Sequence, residues 1–483
     1  MKHTILLAPI LIPFALCKTS GQLCRGTAEL SDGNWYCTEV QAITYRNLSQ
    51  AGAYNRTISV NPSTGICGHE RVDYPAHGTL TPLFGEVSMH LRGPMNISQL
   101  AVYQLPSEIH ASRRRSVVPF YNRRRARARY IKSYTEASAN SSLLATQTWF
   151  PRFHPRASST VSSLLTSSAA ADAGAPCPAN LDDRPEWNTT YDGPPLPCIS
   201  LPTSMATYSD KPLSTTPSHL NDPMKENTLV KRAADWTRVA HYTSAAPSQA
   251  TGLTFMANLG DPRKSGTFDY AFGNSLGYVT PDGGKVAAES LPFDGTLDTS
   301  EQEIVVFSDK ECDHDCPYWR PNATSHYGWS GSSKAFFIEF QMDHHDNKGT
   351  DQGLISDAPA WWFLNAAIPR VLQYGNDRNN IPCSCWSTGC GEFDAFEVLG
   401  KGEDRAKSTI HRQGNLEGGD SNYFKRPVGR TMKFAVVWHF PHITALVLDD
   451  DFDFSATISN EQIQSLVSYD PSSWVHSLFA IGD

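Results

Sequence analysis

Along most of its length the chain sets short apolar runs between turn-forming residues, and it seldom repeats apolar positions at helical spacing. Runs at 42–45 and 101–105, and later at 267–270, 303–307, 335–341, 360–364, 392–399, 433–437 and 443–448, are rich in Val, Ile, Phe, Tyr and Trp and predict β-strands. Gly, Pro and Asn punctuate them. A single short helix is predicted near 459–465, where Ser459 and Gln462 stand at capping-box spacing. No internal repeat of solenoid or propeller period is found. An all-β fold is expected.

Two stretches break this pattern. Lys2 and His3 precede an apolar run at 5–16 that is too short to span a membrane, so 1–21 reads as a secretory signal. No membrane span and no glycolipid anchor are expected after it. Residues 106–232 carry eight arginines within 113–129 and then a Ser/Thr/Ala/Pro-dominated tract. Such composition cannot bury enough apolar surface to fold, and it predicts a disordered linker suited to O-glycosylation. The expected organisation is therefore a signal at 1–21, a small β-rich disulfide domain at 22–105, the linker at 106–232 and a large β domain at 233–483. Lys231-Arg232 forms a dibasic pair at which maturation is expected to release 233–483.

Composition narrows the function. A formal net charge of −8 and an isoelectric point of about 6.1 exclude a nucleic-acid binder, even with the arginine run. Secretion is in keeping with six Asn-x-Ser/Thr sequons, at Asn47, Asn55, Asn96, Asn140, Asn188 and Asn322. It also makes disulfide candidates of Cys24, Cys37, Cys67, Cys177, Cys198, Cys312, Cys316, Cys383, Cys385 and Cys390. Three cysteines fall in the first region and five in the last. Either a bridge crosses between them, or each keeps a free thiol, or Cys17 stays in the mature chain. The stretch from Cys312 to Cys316 with His344, His345 and Asp346 matches no zinc spacing, so no metal and no cofactor are expected. Neither a Gly-x-Ser-x-Gly elbow nor a phosphate loop occurs.

The chemistry-bearing feature is the run Cys390-Gly391-Glu392-Phe393-Asp394-Ala395-Phe396-Glu397-Val398-Leu399. Burying unpaired carboxylates is costly, so three acids in an apolar strand call for a reason. Alternation puts Glu392 and Asp394 on one face and leaves Glu397 one residue out of phase. A β-bulge would turn Glu397 onto the acidic face, and bulges are common beside active sites. Carboxylates paired in this way suit glycosidic bond cleavage, in which one attacks the anomeric carbon and the other protonates the departing oxygen. Crowding should raise the pKa of one of them.

Glu392-x-Asp394-x-x-Glu397 resembles the bulged signature of glycoside hydrolase family 16. Pro359-Ala360-Trp361-Trp362-Phe363-Leu364-Asn365 upstream is similar to that family's Pro-Ala-x-Trp-Leu-Leu-Asn strand. Ser408-Thr409-Ile410-His411 lies where the family often has a substrate-facing His, and the runs at 434–438 and 443–449 resemble its late strand pair. The resemblance implies a concanavalin-like β-sandwich (jelly roll), with Glu392 as nucleophile, Asp394 as its helper and Glu397 as general acid/base. Trp361, Trp362, Trp386, His411 and Asn365 are then expected to bind substrate. Only one of Trp361 and Trp362 can face a cleft, because strand neighbours point opposite ways. The Cys-rich lead-in at 383–390 departs from the family.

Over more of the chain, Asp32-Gly33-Asn34-Trp35-Tyr36-Cys37, Leu91-Arg92-Gly93-Pro94, Ser265-Gly266-Thr267-Phe268-Asp269 and Cys390 to Glu397 are similar to the fungal Tos-type cell-wall proteins. That resemblance implies a secreted, wall-located endo-β-1,3-glucanase acting on β-1,3-glucan and other wall polysaccharide; a monomer is expected. A β-glucan transglycosylase or a non-catalytic glucan-binding wall protein are the alternatives. Trp35, Tyr36, Tyr45 and Tyr54 would either stack on sugars or fill a small β core.

Overall fold

The structure, a computed structural model, describes residues 24–106 and 234–481, apart from 25–26, 47, 49, 62–65, 78–80, 261–274, 347–355, 374–382 and 412–415. The expected signal, nearly all of the expected linker with its arginine run and Lys231-Arg232, Cys17, Cys177, Cys198, Asn47, Asn140, Asn188 and the run at 267–270 lie outside the described residues. Asn55, Asn96 and Asn322 are exposed.

Two large sheets pack face to face as a β-sandwich. In the nine-stranded sheet the neighbours run Gly277–Tyr278, Leu253–Ala257, Glu303–Ser308, Val87–Arg92, Ala360–Asn365, Glu392–Val398, Arg405–His411 and Leu416–Gly419, with Phe424–Lys425 beside Arg405–His411. In the ten-stranded sheet they run Thr457–Ile458, Trp236–Thr243, Met95–Gln104, Ser333–Gln341, Met432–His439, His442–Val447, Ala42–Arg46 and His476–Ala480. Thr296–Leu297 and Gln249–Thr251 pair at its side.

Alternation explains the layers. Met89, Leu91, Trp361, Phe363, Phe393 and Phe396 of the first sheet meet Tyr45, Phe336, Ile338, Phe434, Val436 and Trp438 of the second in one buried core. The intervening residues Ala335, Phe337, Ala435 and Val437 turn to the far side of the second sheet and are covered by Phe452, Phe454 and Ile463. Ile463 lies on the helix Asn460–Val467, whose Ser459 hydroxyl accepts the Gln462 N–H at 3.0 Å as the capping spacing predicts.

The segment 22–105 does not stand apart as a domain. Val87–Arg92 sits between Glu303–Ser308 and Ala360–Asn365, and Met95–Gln104 sits between Trp236–Thr243 and Ser333–Gln341. Turn-rich composition suggested a boundary, but sheet pairing joins residues far apart in sequence. The cysteine parity is settled in the same way. Cys67 bridges Cys383 across a separation of 316 residues, while Cys24–Cys37, Cys312–Cys316 and Cys385–Cys390 close locally. Cys312 and Cys316 thus form a disulfide. Tyr36, Tyr45 and Tyr54 are buried and belong to the packing, whereas Trp35 is 53% exposed.

Cleavage at Lys231-Arg232 therefore cannot release 233–483 as expected, since paired strands and the Cys67–Cys383 bridge still hold the two parts. A chain cut at an engineered protease site there is expected to elute as one species in gel filtration and to separate only after denaturation with reduction. Residues 233–483 expressed alone lack interior strands of both sheets and are expected to be insoluble. A soluble 233–483 fragment with a cooperative melt would refute this account.

Candidate active site

The acidic strand Glu392–Val398 carries the expected bulge. Asp394 lies opposite Thr409 and Glu397 opposite Lys407, so Ala395 and Phe396 together face the single residue Ser408. Toward the other neighbour, Trp361 opposes Phe396 and Trp362 opposes Asp394, leaving Ala395 as the extra residue. Phe393, Ala395, Phe396 and Val398 all enter the inter-sheet core. Glu392, Asp394 and Glu397 consequently share the outer face.

Side chains from both sheets hold the bulge. The Ser408 hydroxyl donates to the Asp394 carbonyl at 2.9 Å. Tyr45, reaching across the core from Ala42–Arg46, donates its hydroxyl to the Ser408 carbonyl at 2.6 Å and packs edge-on against Phe393. Nothing local in the sequence marked Tyr45 for this task.

The Cys-rich lead-in positions Trp386. Ser384 accepts the Trp386 N–H at 3.2 Å and opens a 3₁₀ turn, Cys385–Thr388, which the Cys385–Cys390 bridge closes. Gly389 and Gly391 follow with φ of 107° and 100°, a region that favours glycine. A Cβ at Gly391 would also meet Pro82 at 3.0 Å. The Trp386 indole N–H donates to Glu392 Oε2.

Asp394 is 7% exposed and accepts from the Thr409 hydroxyl at 2.6 Å and from His411 Nε2 at 3.0 Å, both through Oδ2. Burial opposes a charge on His411, but the hydrogen bond and charge of Asp394, aided by both glutamates, push its pKa up to about 9. The ring is thus cationic at neutral pH. Glu392, Asp394 and His411 offer ligand atoms within 4.8 Å of one another, but a metal would need that imidazole to give up the proton that binds Asp394.

The glutamates are pushed the other way. Burial first, and the charge of Asp394 next, raise Glu392 well above the ordinary value, while His411 and the Trp386 N–H oppose the rise. The same two causes raise Glu397 to about 7, against the opposing guanidinium of Arg92. Arg92 Nη2 donates to Glu397 Oε1 at 3.1 Å and its Nε to the Ala358 carbonyl at 2.9 Å. Arg92 comes from Val87–Arg92, and sequence reasoning gave it no role.

The expected substrate-binding residues divide. Trp386 and His411 adjoin the acids, with ring centroids 5.8 Å apart. Trp361 lies between the sheets at 0% exposure, which removes it from any cleft. Trp362 shares the acidic face but is only 5% exposed, stacked on His90 at 5.2 Å and packed with Tyr54 and Tyr74. These two tyrosines belong to the hairpin Gly52–Val60 and Cys67–Tyr74 that Cys67–Cys383 ties down. Asn365 ends its strand, buried, and accepts the Ala367 N–H at 3.0 Å.

Family models for the cell wall protein YJL171C/Tos1 match the chain, the N-terminal one over residues 41–105 and the C-terminal one over 234–466. A relative from Arthroderma benhamiae named "Probable circularly permuted 1,3-beta-glucanase" is 32% identical over 445 residues, 91% of each chain. Two named "Probable circularly permuted 1,3-beta-glucanase TOS1" are each 30% identical. The one from Candida albicans covers 90% of this chain and 91% of its own, and that from Saccharomyces cerevisiae 92% and 93%. No solved structure matches the chain. With both models matched in order and relatives aligned over nine-tenths of its length, the chain belongs to the YJL171C/Tos1 family of cell wall proteins.

Proposed function

We propose that this chain is a retaining endo-β-1,3-glucanase of the fungal cell wall, with Glu392 as nucleophile and Glu397 as general acid/base. The observation that carries the reading is the bulge, which gathers three carboxylates on one face and leaves Glu397 with a pKa of about 7. The printed name of the relatives supports the substrate class.

In the first step a Glu392 oxygen attacks the anomeric carbon while Glu397 gives its proton to the departing sugar oxygen. In the second, Glu397 takes a proton from water, which displaces Glu392 and restores the free carboxylate. The Trp386 N–H and the adjacent His411 cation oppose the rise that burial and Asp394 give the Glu392 pKa. Asp394 acts on both glutamates: its charge discourages a second and third anion, so the cluster retains a proton near neutral pH. Trp386 and His411 border the sugar bound at the acids. Export through the signal at 1–21 and glycosylation at Asn55, Asn96 and Asn322 complete the reading.

The test is turnover of laminarin and laminari-oligosaccharides by residues 22–483, with products sized by mass and the first-formed anomer read by NMR. Shorter products released as the β-anomer are expected. Products longer than the substrate would replace hydrolysis with glycosyl transfer. Glucan binding without turnover would leave a structural wall protein.

Arg92 enters as a positioning residue, with a pH signature. Its guanidinium lowers the Glu397 pKa, so Arg92→Gln lets Glu397 hold its proton to higher pH. The alkaline limb of kcat/KM is expected to move upward from about 7. A limb that stays in place, or moves down, would show that Arg92 does not tune the acid.

A further inference from the structure

Glu397 lies at one end of a second polar line on the same outer face. Strand register lays it out. Glu397 is opposite Ala360, Ala360 opposite Arg92, and Arg92 opposite Glu303. Met256 opposes Val305, so two steps farther along Asn258 comes beside Glu303. The row crosses five strands, about 19 Å at the usual strand spacing, which is room for several pyranose rings.

Hydrogen bonds join its members. Arg92 donates to Glu397 at 3.1 Å, Gln373 Nε2 donates to Glu303 Oε1 at 2.6 Å, and Asn258 Nδ2 donates to Gln373 Oε1 at 2.7 Å. Gln373 reaches the row from just past the short helix Ala367–Val371. Arg92 reaches Glu397 across Ala360, whose methyl group leaves the space above it to its neighbours.

The other rows of this face are roofed. Leu364 and Trp362 are covered by the tethered hairpin, and Val305 and Met256 pack with Leu276 in a separate buried cluster. By contrast Arg92 and Glu303, whose side chains are each 12% exposed, and Gln373 and Asn258, which are partly buried, all keep some contact with solvent. Planar amide, carboxylate and guanidinium groups offer donors and acceptors side by side, and sugar hydroxyls both donate and accept. A line of such groups that keeps an edge in solvent and starts at the proposed proton donor is placed to hold the rest of a glucan chain.

We propose that Arg92, Glu303, Gln373 and Asn258 form a run of subsites for β-linked glucose units beyond the unit held at the acids. This rests on the glucanase reading and names the side chains that would give it length dependence. A multi-unit row also means that short oligosaccharides should be poor ligands compared with long ones.

The experiment uses residues 22–483 carrying Glu392→Gln to prevent turnover, and titrates laminari-oligosaccharides of two to seven units by calorimetry. Affinity is expected to rise with length. Gln373→Ala and Asn258→Ala, made singly and together, are expected to remove that rise, weakening the longest ligand about tenfold, as for loss of one or two hydrogen bonds. The two-unit ligand should change less than about twofold, since it need not reach them. Melting curves of each variant separate lost contacts from lost fold. Unchanged length dependence in folded variants would overturn the subsites and leave the glucanase reading intact. Absence of binding at every length, in a chain that is folded, would overturn both.

Discussion

Replacing Glu392 with Gln is expected to lower kcat on laminarin by about 10⁴-fold or more, the scale seen when a covalent nucleophile is removed. Gln keeps the shape of the side chain, and its amide oxygen still accepts the Trp386 indole N–H. The strand is fixed independently, by Ser408, Tyr45 and the packing of Phe393, Ala395 and Phe396 in the core. The fold and the melting temperature should therefore survive, and the loss belongs to chemistry. A carboxamide oxygen is a weak nucleophile and leaves no stable ester to hydrolyse. Glu392→Ala offers a stricter check, because it vacates the position from which attack occurs. With an aryl laminaribioside as substrate, azide should restore turnover to this variant and give a glycosyl azide of inverted configuration. Retention of a tenth of wild-type activity by Glu392→Gln, or rescue by azide of some other variant in its place, would assign the nucleophile elsewhere.

Much of this site was visible in the residues because its causes are local. Three acids in an apolar strand, with Glu397 out of phase, already required an extra residue, and Ala395 supplies it. Alternation limited the cleft to one of Trp361 and Trp362, and the core took Trp361. What stayed hidden depends on pairings between distant residues. Nothing in Val87–Arg92 says that it will lie beside the strand carrying Trp361 and Trp362, so neither Arg92 nor the loss of a separate N-terminal domain could be foreseen. Trp362 shows the same limit more sharply. It faces outward as alternation requires, yet the hairpin held by Cys67–Cys383 covers it, and the cysteines alone left open which partners they choose. The Cys-rich lead-in looked like a departure from a known pattern. Its physical purpose, a closed turn that aims Trp386 at Glu392, is set by the Cys385–Cys390 bridge and two left-handed glycines.

Glu397→Gln should separate catalysis from stability through pH. On laminarin, kcat is expected to fall about 10²- to 10⁴-fold, the usual contribution of a general acid. With an aryl glycoside whose leaving group needs no proton, the fall should be much smaller. The stability effect has the opposite sign. Burial and Asp394 raise the Glu397 pKa from the ordinary 4.5 to about 7 in the folded chain. A raised carboxyl pKa means that the folded state holds the proton more tightly than the unfolded one, so its stability is complete below about 4.5 and declines as pH rises through 7. Above that, the fold carries a partly buried anion at a cost of about 3 kcal/mol. Gln carries no charge at any pH. The variant should therefore melt above the wild type at pH 8 and together with it near pH 4. That crossover links the two roles of the site, since the crowding that keeps a proton on Glu397 for catalysis is also what strains the fold in alkali. Equal melting differences at both pH values would mean that Glu397 titrates as an ordinary surface glutamate, and its assignment as the proton donor would fall with them.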